Sequence, residues 1–239
     1  LIFLHGLDAP EGAASLLREL SRKFTVYAPT HPGFGGSARP DHMNRVDDLG
    51  YFYLDMLDIL SLERPVIVGT SFGGWVATEM LTKDPRRASH LALVSPLGLP
   101  TAKRRESHVA DIFMLSRQEL GARLQLGEPP LGSDFATLTK LPEDRLQRLM
   151  RNDEALSLYG WTPYMCNPKL GERLHRIDCP TLLLWGSDDA IVDPVYRDAF
   201  ATAMPQATVE LIAEAGHRVH ADQPEKLAAR IAAFVQNQE

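Results

Sequence analysis

The sequence predicts an α/β fold: a mostly parallel central sheet flanked by helices, with one long helical insertion. Three observations carry this. Short apolar runs rich in Val, Ile and Leu alternate with amphipathic stretches, as in chains that wind strand, helix, strand. The runs lack strict apolar–polar alternation, which marks strands buried on both faces. Between residues 98 and 176 the rhythm stops, and only helical patterns remain.

The expected strands are Leu1–Leu4, Phe24–Ala28, Pro65–Gly69, Leu91–Ser95, Thr181–Trp185 and Thr208–Ile212. Leu1-Ile2-Phe3-Leu4 reads as the middle of a buried strand, with no initiator Met, basic segment or cleavage site. The expectation is therefore that residues precede it, and a cytoplasmic location is only the default. Helices fall between strands. Across Asp48–Leu60, residues Leu49, Tyr53, Met56, Leu57 and Leu60 share one helical face, and Leu227, Ile231, Phe234 and Val235 do so near the C-terminus.

Within residues 98–176 the patterns Pro142–Met150 and Asp153–Tyr159 are helical. Bare loops longer than about 15 residues are uncommon, so this stretch is expected to be an inserted helical cap. The predicted division is a core of residues 1–97 and 177–239 with a cap of residues 98–176.

Composition narrows the function. The 239 residues, 44% of them hydrophobic, suffice for one domain with a substantial core. Net charge is −6 and the basic residues are scattered; the cluster Lys103-Arg104-Arg105 is followed by Glu106, which argues against a nucleic-acid partner. No apolar run approaches the ~20 residues of a membrane span. Cys166 and Cys179 lack metal-knuckle or redox spacing and read as free thiols, with a single disulfide left open.

The strongest local signal is Gly69-Thr70-Ser71-Phe72-Gly73, a G-x-S-x-G between the strand Pro65–Val68 and a helical pattern starting at Gly74. A nucleophile elbow needs this strand–turn–helix context, because the serine must project from a crowded, strained turn. The competing reading is a Gly-rich turn with Ser71 as a helix N-cap. A serine hydroxyl needs a base and an orienting acid. Gly186-Ser187-Asp188-Asp189 follows one later strand, and Ala215-Gly216-His217 follows the next. The carboxyl ends of parallel strands line one sheet edge, so these residues are expected to converge with Ser71.

The whole chain resembles the α/β-hydrolase fold family, whose triad order is Ser, acid, His. The family's G-x-x-D turn falls on Gly186–Asp189, which implies Asp189 rather than Asp188 as the acid. Its G-H pattern implies His217 rather than His220 as the base. The alternative acid position of some relatives reads Ser95-Pro96-Leu97 here and holds no carboxylate. Asp193, just before Pro194, reads as a helix start.

His5-Gly6-Leu7 resembles the family's oxyanion loop, which implies backbone N–H donors from Leu7 and Phe72 with His5 as a brace. Thr30–Ser37 resembles its D-x-x-G-x-G-x-S loop, with Thr30 where Asp is usual; His31 is a candidate substrate contact or a loop-packing residue. Trp75 reads as core and His108 as surface. In the expected cap, Phe113, Met114, Trp161, Tyr164 and Met165 either line an apolar substrate pocket or pack the cap onto the core. Trp161 and Tyr164 are the candidate substrate-binding residues, expected to set substrate preference.

The implied chemistry is hydrolysis of a small-molecule carboxylic ester or lactone through an acyl-enzyme, needing no metal and no organic cofactor. Ser71 stands where dehalogenases and epoxide hydrolases use Asp, and Phe72 where prolyl aminopeptidases show Trp. Hydrolases of meta-cleavage products, which split carbon–carbon bonds with the same triad, usually carry a more Gly-rich oxyanion loop. They are the alternative enzyme reading, and a ligand-binding hydrolase-fold protein without turnover is the alternative outside catalysis.

Overall fold

The computed structural model describes residues 1–100, 108–128 and 132–237. In chain order its elements are β1 (Ile2–Leu4), α1 (Ala14–Leu20), α2 (Val46–Ile59), β2 (Val66–Thr70), α3 (Phe72–Lys83), β3 (His90–Val94), α4 (Arg117–Leu124), α5 (Phe135–Leu138), α6 (Glu143–Gly160), β4 (Thr181–Gly186), α7 (Pro194–Ala203), β5 (Thr208–Ile212), α8 (Val219–Asp222) and α9 (Pro224–Gln236). The five strands form one sheet in the order β1-β2-β3-β4-β5, every pair parallel.

The uninterrupted apolar strands are explained by layers on both faces. Leu4, Ile67, Leu91, Leu93, Leu183 and Trp185 pack with Leu49, Tyr53, Val76 and Met80 of α2 and α3. The intervening residues Phe3, Val68, Ala92, Val94, Leu182 and Leu184 pack with Leu16 and Leu20 of α1 and Leu227, Ile231 and Phe234 of α9. Side chains alternate between faces as a strand requires, yet both faces are apolar.

The expected strand Phe24–Ala28 shortens to one parallel bridge between Tyr27 and Ile2. Phe3 N–H donates to Tyr27 O at 2.8 Å and Tyr27 N–H to Leu1 O at 2.9 Å. Phe24, Val26 and Ala28 are only partly buried at this sheet margin, and Pro29 brings no N–H with which to extend the ladder. At the other margin β5 leaves Val209 and Leu211 exposed, while Glu210 ties it to α9 through Arg230.

Helices α4, α5 and α6 all lie between β3 and β4 in sequence. The two expected helices at 142–150 and 153–159 are one continuous helix, α6, of 18 residues. The ends of this long excursion meet: Gly98 N–H donates to Met165 O at 3.2 Å and Asn167 N–H to Gly98 O at 2.8 Å. Helix α6 rests on the loop after Tyr27. Asn152 Oδ1 accepts from Gly35 N–H at 2.8 Å, and Tyr159 OH donates to Pro32 O at 3.2 Å. The basic cluster Lys103-Arg104-Arg105 lies outside the described residues. Among those described, no helix is long and apolar enough to cross a membrane, and Cys166 and Cys179 are free thiols.

Candidate active site

Ser71 sits between β2 and α3 at φ 51° and ψ −116°, a region that L-residues rarely occupy. Such a conformation costs on the order of 1–3 kcal/mol and persists only where its surroundings enforce it. Here they do. A Cβ on Gly69 would lie 2.6 Å from Gly73 O, and one on Gly73 would lie 2.1 Å from Leu4 O. Both motif glycines are therefore required by close backbone approach. The N-cap reading of Ser71 does not hold, because its side chain makes no capping hydrogen bond to α3.

The Ser71 hydroxyl instead meets the imidazole of His217, with Oγ 2.8 Å from Nε2. The other ring nitrogen, Nδ1, lies 2.9 Å from Asp189 Oδ2. Asp189 Oδ1 accepts the backbone N–H groups of Ile191 and Val192, each at 2.9 Å. Both His217 and Asp189 side chains are 4% exposed. Burial pushes the Asp189 carboxyl up. The nearby His217 and the two backbone donors outweigh that and hold it below its ordinary range. A carboxylate kept ionised against Nδ1 leaves Nε2 as the proton acceptor facing Ser71.

Neighbouring candidates go elsewhere. Asp188 accepts the Ser187 hydroxyl at 2.5 Å on the exposed side of the turn. Asp193 caps α7 through Val195 N–H at 2.8 Å. His220 is buried and lines the same small chamber as Ser71, but its Nε2 faces Asp8, 3.7 Å from Oδ2, and the imidazole that meets the Ser71 hydroxyl is that of His217. His108 is partly buried, 3.8 Å from Asp193, rather than on the surface.

Leu7 and Phe72 line the same small chamber as Ser71 and His217, a cavity of about 30 Å³. Phe72 opens α3, so its N–H precedes the helix's own ladder and lies at the positive dipole end. Among the described residues the Leu7 N–H has no hydrogen-bond partner. His5 braces this loop: its Nε2 accepts His31 N–H at 2.9 Å, which leaves Nδ1 to donate to Gly6 O at 2.7 Å.

His31 lines neither this chamber nor the larger cavity beside it, and its contacts are those of the loop-packing reading. It is fully buried, its Nε2 donating to His5 O at 2.9 Å and its Nδ1 accepting from Tyr53 OH at 2.5 Å. Burial lowers its pKa to about 4, so the ring is neutral and acts as a rivet between two loops.

Trp161 and Tyr164 line neither of these two cavities. The Trp161 side chain is largely exposed and its ring packs on Phe113 at 5.3 Å. Tyr164 OH accepts Ile112 N–H at 2.9 Å and donates to Ala110 O at 2.5 Å, and burial pushes its pKa up to about 12. Met165 is core and Met114 is exposed.

The space available to a ligand lies elsewhere, in a cavity of about 410 Å³ walled by Leu120, Leu124, Leu141 and Leu149. Ser71 does not line it; it adjoins the small chamber through shared walls at Leu7, Asp8, Leu124 and Arg218. The Ser71–His217 chamber and the larger volume are thus side by side. Sequence reading missed the face of α6 that lines this cavity: Arg145, Arg148, Leu149, Asn152 and Asp153. Four of the five are polar or charged, so they carry no apolar periodicity that would have marked this face in the sequence.

A family model for the alpha/beta hydrolase family matches residues 1–230. The chain belongs to that family. It is also 29% identical over 224 residues to the dihydrolipoyllysine-residue acetyltransferase component of an acetoin cleaving system from Cupriavidus necator, covering 91% of this chain but only 58% of that protein. Among solved structures, a thermophilic esterase from Thermogutta terrifontis superimposes with a TM-score of 0.75 at 24% identity, covering 99% of this chain and 89% of that one. The 2-hydroxy-6-oxo-6-phenylhexa-2,4-dienoate hydrolase of Rhodococcus superimposes with a TM-score of 0.76 at 19% identity, covering 98% and 89%. These structural likenesses show the fold, which hosts both kinds of hydrolase.

Proposed function

We propose that this member of the hydrolase family cleaves a carboxylic ester or lactone by acyl transfer through Ser71, His217 and Asp189. One observation carries the reading: the His217 ring bridges the Ser71 hydroxyl and the Asp189 carboxylate, at 2.8 and 2.9 Å, through its two nitrogens.

His217 Nε2 takes the Ser71 proton as Oγ bonds to the substrate carbonyl carbon. The carbonyl oxygen becomes an oxyanion and accepts from the N–H groups of Leu7 and Phe72. When the intermediate collapses, the alkoxide leaves with the proton from His217. Water then gives a proton to His217 and attacks the acyl carbon; as the acyl–Oγ bond breaks, Oγ takes that proton back from His217 and the acid leaves. Asp189 holds the ring's tautomer and offsets its transient charge. In this reading residues 98–176 form the cap that encloses the substrate, and its apolar body occupies the larger cavity beside α6.

Turnover of p-nitrophenyl esters by wild type and Ser71→Ala tests the proposal. The expected loss in kcat is roughly 10⁴–10⁶-fold, with the fold retained. A folded Ser71→Ala variant with near-normal turnover would remove it. Wild type inert on every ester but active on a meta-cleavage product would redirect it to carbon–carbon hydrolysis.

A further inference from the structure

Arg218, which directly follows His217, is a buried guanidinium with only 7% of its side chain exposed. Burying such a charge is costly unless it is partnered, so its partners identify what it holds. Nε lies 2.7 Å from Asp8 Oδ2, in an ion contact whose N–H is not aligned for a hydrogen bond. Nη1 donates to Gln125 Oε1 at 2.6 Å, and the backbone N–H of Arg218 donates to Leu124 O at 2.7 Å. His220 Nε2 approaches the same Asp8 oxygen at 3.7 Å.

These contacts join three separate segments. Asp8 is the neighbour of Leu7 in the first loop, Arg218 is the neighbour of His217 in the last, and Leu124 and Gln125 end α4. A second tie runs in parallel: Asp222 accepts Gly216 N–H at 2.8 Å and Leu126 N–H at 3.1 Å. The approach is close enough that a Cβ on Gly216 would lie 3.2 Å from Gln125 Cα. Asp8 and Arg218 also line both the small chamber and the larger cavity, so the pair stands where the two meet.

We infer that Arg218, held by Asp8, is a positioning residue that fixes the His217 loop against the Leu7 loop and ties both to the end of α4. The inference rests on the acyl-transfer reading of Ser71. The pair touches no reacting atom; it sets the spacing between the base and the oxyanion donor. Misplacement of catalytic groups by about 1 Å costs on the order of 10²-fold in rate, which sets the effect to look for.

The test is the rate at which an alkyl fluorophosphonate labels Ser71, read by mass spectrometry, alongside kcat and KM on a p-nitrophenyl ester. Variants are Asp8→Asn, Arg218→Gln, their double variant and Arg218→Lys. The expected result is labelling and kcat lowered about 10- to 100-fold in each single variant, with KM within about two-fold. The double variant should be no worse than either single one, and Arg218→Lys intermediate. A merely structural role would lower the melting temperature while leaving labelling at low temperature unchanged. Wild-type labelling rates in folded Asp8→Asn and Arg218→Gln would overturn the inference, as would losses that multiply independently. If Arg218→Gln does not fold, the nearly isosteric Asp8→Asn decides by the same criterion. Wild-type Ser71 that resists labelling would instead overturn the nucleophile reading, and this inference with it.

Discussion

The loops at the carboxyl ends of the strands and the long excursion between β3 and β4 obey different physics. In the strand-end loops, backbone position is dictated by the sheet, so residues far apart in sequence arrive at one place. Ser71, Asp189 and His217 come from three such loops and meet within hydrogen-bond distance. In the excursion the described backbone pairing is limited to isolated bridges, Gly98 with Cys166 and Val109 with Val192. Helices α4 and α6 are tied to the core by a few particular bonds, such as Asn152 to Gly35, Arg218 to Gln125 and the Arg218 N–H to Leu124 O. The meeting of these three side chains thus depends on topology, whereas the shape of the cavity depends on particular contacts.

Predictions can break this contrast from its strongest side first. Asp189→Asn should lower kcat roughly 10⁴-fold with little change in KM, because the amide favours the wrong His217 tautomer. Steady-state kinetics on a p-nitrophenyl ester check it; a loss under ten-fold would detach Asp189 from the chemistry.

On the excursion side, Leu149→Trp should reduce the 410 Å³ cavity and raise KM about ten-fold for long-chain esters while sparing the acetate. Trp161→Ala, by contrast, should leave the chain-length profile within about two-fold, since its ring lies outside both cavities. The opposite pattern across an acyl-length series would place the substrate under Trp161 and not along α6.

The sheet and the sequence of site-bearing loops were legible because both rest on periodicity and on glycines that crowding demands. Four of the expected strands differ from the observed ones by a residue or less at each end, and β5 matches outright. Phe24–Ala28 was not legible as a single bridge, since propensity does not reveal that a strand will be a sheet margin. His31 was ambiguous for a related reason: its burial depends on Tyr53 and His5 closing over it, which no local pattern encodes. The partners of Tyr164 were not legible either, since its hydroxyl satisfies backbone groups at 110 and 112 that no local pattern links to it. Asp8 and Arg218 carry no periodic signal; only their adjacency to Leu7 and His217 could have drawn notice.

The smallest expected effect concerns the buried rivet. An unfolded His31 binds its proton below about 6.5, whereas the folded ring does so only near 4. Its folded value is depressed, so the stability it supports is lost as pH falls through that window. The loss is on the order of 3 kcal/mol at most. Urea unfolding between those pH values should show a shallower slope for His31→Gln than for wild type, with any remaining slope shared by His5, whose pKa burial also lowers. An unchanged slope would mean that His31 titrates normally in the fold.

The central claim is that Ser71 carries the acyl group. Rapid mixing with a p-nitrophenyl ester, followed by acid quench and peptide mass spectrometry, addresses it directly. The expected result is a burst of about one p-nitrophenolate per chain and an acyl adduct on the peptide containing Ser71, both lost in Ser71→Ala. Sustained turnover with no adduct on Ser71, and an undiminished rate in that variant, would contradict it.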